Sequence, residues 1–173
     1  MFNKILVAID RSIMSRKVFE AGLSLAKTTG ASLMLLHVLS PEDKDYPPPF
    51  IYSGLEYDPS AEPLLEAYQE KVQKFEQQER EFLRSLSREA IQAGVETEFT
   101  QTSDYPGRSI CEQAQTWSAD LILVGSRGLT GLKEMFLGSI SNYVTHHAPC
   151  SVLIVREDAE KFQLLKKENE PQL

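Results

Sequence analysis

Gly125-Ser-Arg-Gly128, then nine residues, then Gly138-Ser139, is the stretch of this chain whose residue types and spacing could do chemistry. It follows directly on an apolar run, Leu121-Ile-Leu-Val124, and ends where a helix can begin. Glycine carries no Cβ, so the backbone there can approach a ligand closely. A helix N-terminus adds unpaired N–H groups and a partial positive charge. Together they suit a phosphate, although simple turn chemistry would also place glycines here. The chain has no G-x-x-x-x-G-K-[ST], so the Lys that reaches β/γ-phosphates is missing. It has no G-x-G-x-x-G after the first apolar run, so it is not a dinucleotide fingerprint. Arg127 lies inside the glycine stretch, where a phosphate contact and a solvated position are equally open.

Two further positions bear on the same ligand. Asp10 closes the first apolar run, with Ser12 two residues on. A carboxylate there can accept hydrogen bonds from ribose hydroxyls, or it can cap the next helix. Val38 closes the second apolar run, and it can offer backbone groups to an adenine edge or simply be a buried strand residue. The histidines are His37, His146 and His147. The last two end a short predicted helix, where cations complement the dipole. They are not at metal-ligand spacing and no Cys/His cluster supports them, so no metal site is expected. No nucleophile motif such as G-x-S-x-G occurs, and no catalytic residue is assigned.

The elements that must position these residues alternate along the chain. Lys4–Ile9 is an apolar run without polar alternation, as in a strand covered on both faces. Ser15 can cap the helix that follows, Val18, Ala21, Leu25 and Ala26 recur at helical spacing, and Gly30 stops it. Ser32–Leu39 reads as a second buried strand. From Pro41 to Pro63 the composition shifts to prolines, acids and Gly54, an irregular insertion expected to be mobile and to cover part of the nucleotide edge. A long helix is predicted from Leu64 to Ala93, with Leu65, Tyr68, Val72, Phe75, Phe82, Leu86 and Ala90 near one stripe and Gly94 after its end. Val95–Thr102 alternates and suits a sheet edge. Helix Arg108–Ser118, strand Leu121–Val124, helix Ser139–His147 and strand Ser151–Val155 complete the order, and a charged tail, 157–173, follows.

This alternation predicts one α/β domain, a parallel sheet with helices on both faces. Ligands of such sheets bind outside the carboxyl ends of the strands where strand order reverses. Asp10, Val38 and Gly125 each fall at such an end.

Bulk properties agree with one domain of 173 residues. The formal charge of −7 argues against wrapping nucleic acid. No apolar run approaches the ~20 residues of a spanning helix, so no membrane role is expected. The start does not resemble a secretory signal, and Cys111 and Cys150 are too few for a disulfide framework. A cytoplasmic protein with reduced thiols is expected.

These residues together resemble the universal stress protein family, in its ATP-binding branch. The similarity covers nearly all of 1–156 apart from the insertion. It rests on Ile5-Leu-Val-Ala-Ile-Asp10-Arg-Ser12-Ile-Met-Ser15 as the first strand with its D-x-S-x-x-S turn. It rests equally on the glycine stretch Gly125 to Ser139 and on the ending His147-Ala-Pro-Cys150-Ser-Val-Leu-Ile-Val155. The chain departs from the family where Asp104-Tyr105-Pro106 replaces Gly-x-Pro, and in the length of the insertion.

The resemblance implies a Rossmann-like fold of the adenine nucleotide alpha hydrolase-like type, with a five-stranded parallel sheet of order 3-2-1-4-5. It implies a homodimer through Ser151–Val155. It implies that Ala8, Ile9, Val38 and Val124 wall an adenine, that Asp10 and Gly125 hold the ribose, and that Gly128, Gly138, Ser139 and Ile140 contact phosphate. Ser12 and Arg127 complete that set. ATP or AMP is the expected ligand, and the acids of the insertion would call for a divalent cation such as Mg or for basic groups beside a triphosphate.

Without a Lys at the γ-phosphate or an evident base, a regulatory nucleotide sensor with little or no turnover is expected. A slow ATPase is the enzymatic alternative, although neither S-G-G-x-D-S nor H-x-G-H occurs. A nucleotide-independent dimeric scaffold is the third reading.

Overall fold

Short apolar segments joined by amphipathic helices can bury both faces only as a covered parallel sheet. A computed structural model, describing residues 2–41, 43, 45–48, 62–126 and 137–156, has that architecture. In chain order the elements are β1 (Lys4–Ala8), α1 (Met14–Thr29), β2 (Ser32–Leu39), α2 (Glu62–Gln92) and β3 (Thr97–Ser103). They continue with α3 (Pro106–Trp117), β4 (Leu121–Gly125), α4 (Ser139–His147) and β5 (Ser151–Val155). The sheet order is β3-β2-β1-β4-β5, and all four pairings are parallel. The chain therefore winds outward twice from β1, and the strand order reverses between β1 and β4.

Strand alternation divides the core into two layers. Ile5, Val7, Leu33, Leu35, Leu121 and Leu123 face α1 and α2, packing with Val18, Phe19, Leu83 and Ala90. Leu6, Met34, Leu36, Val38, Ile122 and Val124 face α3 and α4, packing with Ile110, Ala114 and Val144. Full burial of each such side chain stabilises by about 1.5–3 kcal/mol relative to exposure, which is why the three inner strands carry no polar face.

Helix ends follow from local chemistry. Gly30 closes α1 in the left-handed region at φ +74°, and its N–H donates to the Ala26 carbonyl at 2.8 Å. Gly94, at φ +85°, closes α2 in the same way. The long helix already includes Glu62 and Pro63, ahead of the predicted Leu64. Its buried residues are Phe75, Glu79, Leu83, Leu86, Ser87 and Ala90, so the predicted members Leu65, Tyr68 and Val72 lie outside the core. β3 is an edge strand, as expected from its alternation, and β5 is the other edge, with Leu153 40% exposed.

Part of the insertion (Glu42, Lys44 and 49–61) and the tail 157–173 lie outside the described residues.

Candidate functional site

The carboxyl ends of β1, β2 and β4 open into one cleft with about 980 Å³ of atom-free space, its open mouth included. Ala8, Ile9, Asp10, Ser12, Val38, Val124, Gly125, Gly138, Ser139 and Ile140 all line this cleft. The structure thus brings ten of the expected site residues together. Arg127 and Gly128 lie outside the described residues.

At the β1 end, the turn is held by a compact set of bonds. The Asp10 N–H donates to Ser15 Oγ at 2.8 Å, and Ser15 Oγ–H donates back to Asp10 Oδ1 at 2.5 Å. The Ser12 N–H also donates to Oδ1, at 2.9 Å. Ser15 is therefore not the cap of α1. It is the second residue of that helix, whose cap position, Ile13, makes no side-chain cap bond. The hydroxyl clamps the Asp10 turn instead, because the strand ends close enough for a side chain in the first helical turn to reach it. Asp10 Oδ1 is committed to the turn, and no described hydrogen bond engages Oδ2.

At the β4 end, the glycine stretch leaves and re-enters the fold at one point. The Ser126 N–H donates to the Val155 carbonyl at 2.8 Å, and the Gly138 N–H donates to the Ser126 carbonyl at 2.9 Å. These bonds pin Gly138 as the N-cap of α4. The first N–H groups of a helix have no partner within it. Those of Ser139 and Ile140 therefore start at the cleft wall with the positive end of the helix dipole. Asn142 N–H and Ser141 Oγ–H both take the Gly138 carbonyl, at 2.9 and 3.0 Å.

The wall between these ends is apolar. Leu36 and Val38 of β2, Val124 of β4 and Ile110 of α3 supply it, with Pro106 at the start of α3. Pro106 belongs to the Asp104-Tyr105-Pro106 departure, and it still reaches the cleft. Leu36, Pro106, Ile110, Ser40, Asp43 and Ser141 were not expected from the sequence. Proximity to Val38 was the available signal for Leu36 and Ser40; nothing local marks Ile110.

The electrostatics are uneven. Asp10 and Asp43 line the cleft, and no Lys, Arg or His does so among the described residues. Burial pushes the Asp43 carboxyl above its ordinary range, opposed by the Ser40 N–H that it accepts at 2.9 Å. The helix terminus and backbone amides are thus the positive groups that the described site offers. Elsewhere, Cys111 and Cys150 are free, and burial raises both thiols, which disfavours the reactive thiolate. His147 Nδ1 lies 2.8 Å from the Tyr143 carbonyl, at the exposed C-terminal end of α4. Among the described residues no group of three or more His, Cys, Asp or Glu side chains could hold a metal, and no helix is long and apolar enough to cross a membrane.

A family model described as the universal stress protein family matches residues 1–156. The chain belongs to the universal stress protein family. It is 36% identical over 155 residues to a universal stress protein of Synechocystis, covering 90% of this chain and 98% of the relative. It is 38% identical over 156 residues to one of Bacillus subtilis, covering 90% and 100%. Among solved structures, a universal stress protein from Lactobacillus plantarum superposes with a TM-score of 0.70 at 22% identity, over 90% of this chain and 98% of that one. At that identity the likeness shows the fold. Two other members of the same fold were solved with a ligand. One is a universal stress protein in complex with cAMP, at a TM-score of 0.59, 21% identity and coverage of 90% and 97%. The other is an Arabidopsis thaliana member with AMP bound, at 0.56, 22% identity and coverage of 92% and 94%.

Proposed function

We propose that this universal stress protein binds an adenine nucleotide, ATP or AMP, at the switch point between β1 and β4, and serves as a regulatory nucleotide sensor with little or no turnover. The observation that carries the reading is the convergence of an apolar wall, a carboxylate and a helix N-terminus on one cleft. Ala8, Ile9, Val38 and Val124 suit the two faces of a purine. Asp10, whose Oδ2 takes no hydrogen bond among the described residues, suits the ribose hydroxyls beside Gly125. Gly138, Ser139 and Ile140 suit phosphate, with Gly128 and Arg127 as the remaining contacts and Ser12 beside Asp10. The cAMP and AMP complexes of relatives with this fold support an adenine nucleotide over other phosphorylated ligands.

Two carboxylates beside a triphosphate need screening, so a divalent cation such as Mg enters with ATP and matters less for AMP. Low turnover follows from the donor set. Among the described residues, backbone amides and hydroxyls line the phosphate end, and phosphoryl transfer needs a positioned nucleophile as well as cations. The protein works as a cytoplasmic homodimer through the open edge of β5, where Leu153 is exposed, and residues 1–156 form the functional unit.

Isothermal titration of the full chain with ATP, ADP and AMP, with and without Mg, tests this. Saturable binding of one nucleotide per chain is expected, with hydrolysis no faster than in buffer. No heat from any of the three at millimolar concentration would refute the reading.

A further inference from the structure

Two residues adjoining the cleft turn their side chains to one buried carboxylate on the far side of the sheet. Arg11 follows Asp10, and His37 precedes Val38. Strand alternation puts Val38 with α3 and the cleft, and His37 with Leu33 and Leu35 on the α1/α2 face. There Glu79 of α2 is 4% exposed and His37 is 1% exposed. Glu79 accepts the Arg11 Nε–H at 2.9 Å through Oε1 and at 2.8 Å through Oε2. Its Oε2 also lies 3.5 Å from His37 Nδ1, and among the described residues neither His37 ring nitrogen has a hydrogen-bond partner. The Arg11 guanidinium lies over the Phe82 ring at 4.1 Å, one turn further along α2.

A leucine at position 79 would fill this place without desolvating a charge. Buried ion pairs stabilise little relative to a well-packed apolar residue, and their best-attested use is to fix one arrangement. What this pair fixes is specific. The backbone beside Arg11 is the Asp10–Ser12 turn, which lines the cleft.

We propose that Glu79 is a positioning residue of the nucleotide cleft, holding the Asp10 turn through Arg11, and so coupling cleft occupancy to α2. The inference rests on the nucleotide reading above. Coupling of this kind is reciprocal, so a ligand that orders the Asp10 turn also tightens the anchor of α2.

The test compares full-chain wild type with Glu79→Gln, Arg11→Gln, the double variant and Leu83→Val. Leu83 is a core residue of α2 that does not line the cleft. ATP affinity is read by isothermal titration, and protection of the α2 amides by hydrogen exchange with and without ATP. Each single charge variant is expected to weaken ATP by about tenfold, and the double variant by no more than the worse single. Leu83→Val is expected to lower the melting temperature with affinity within about twofold of wild type. ATP is expected to raise α2 protection in wild type and to leave it unchanged in Glu79→Gln.

If wild type binds ATP while both charge variants bind within about twofold of it, the positioning role is wrong and the nucleotide reading stands. If wild type binds no adenine nucleotide, both are wrong. Should Glu79→Gln fail to fold, Arg11→Gln decides, because that side chain is partly exposed.

Discussion

Replacing Gly22 with alanine is expected to destabilise the fold, although alanine is the better helix former. Gly22 sits in α1 where the helix lies closest to the sheet. A Cβ built there would meet Val7 Cγ2 at 2.7 Å and Leu123 Cδ2 at 3.6 Å. Val7 is fully buried in the central strand, and its branched side chain has one comfortable rotamer, so it cannot swing aside. The helix or the strand must therefore move by several tenths of an ångström. Overpacking of this kind costs about 1–3 kcal/mol. Removing a helical glycine returns about 0.5–1 kcal/mol. The balance is a loss of up to about 2.5 kcal/mol for Gly22→Ala, centred near 1 kcal/mol. Urea unfolding of Gly22→Ala, Val7→Ala and the double variant measures it. Val7→Ala alone is expected to cost about 2 kcal/mol through lost burial and a cavity. Because it removes the clashing methyl, the double variant is expected to be more stable than the sum of the singles predicts, by about 1 kcal/mol or more. Strict additivity, or a Gly22→Ala protein as stable as wild type, would refute the close-approach argument.

Three further outcomes are expected. Gly30→Ala meets no atom within 4 Å but must hold φ +74°, so backbone strain alone should cost about 1 kcal/mol and lower the melting temperature by about 2–4 °C; an unchanged melting temperature contradicts it. Burial holds the His37 pKa below 6.5, with Glu79 the largest opposing charge and Asp43 and Asp10 acting with it, while Arg11 lowers it further. Below pH 6.5 the unfolded chain takes up a proton that the native ring does not, so stability falls as pH drops from 6.5 to the folded pKa. Replacing His37 by leucine should flatten urea midpoints measured between about pH 7.5 and about pH 5, and an equal slope in both proteins rules the assignment out. The Arg16–Glu89 pair is 54% and 40% exposed, and Arg16 holds the Glu89 carboxyl below its ordinary pKa. Its contribution is present above pH 4.5 and lost as pH falls through the folded value. Solvent and salt screen it, so Glu89→Gln should cost under about 1 kcal/mol, and less at high salt.

Elements whose boundaries are set by local chemistry were legible in the sequence. β2, α4 and β5 lie at the predicted limits, since Ala31 and Ser40, Gly138 and Pro149 bracket them. The gathering of Asp10, Val38 and Gly125 followed from a rule about strand ends. The long helix was less legible. At ~1.5 Å per residue its 31 residues run about 46 Å, while the eight of β2 span only about 26 Å. Its first half therefore extends past the sheet, and the apolar residues Leu64 and Leu65 there are exposed although their spacing matches the buried half. Glu79 was missed for the opposite reason: a carboxylate in a helical stripe reads as solvated until Arg11, 68 positions away in sequence, is seen against it. Ser15 was misassigned because a serine near a helix start has two uses, and only the position of Asp10 decides between them. Pro106, Ile110 and Asp43 enter the cleft through the stacking of α3 and the turn after β2, which no periodicity encodes.

The central claim is that an adenine nucleotide occupies the cleft at the ends of β1, β2 and β4. An amide-resolved NMR titration of the full chain with AMP tests it most directly. Saturable shifts at Asp10, Ser12, Val38, Gly125, Gly138, Ser139 and Ile140, with the α3 side of the wall following at Ile110, are predicted. Shifts that cluster elsewhere on the molecule, or none at millimolar AMP, would contradict it.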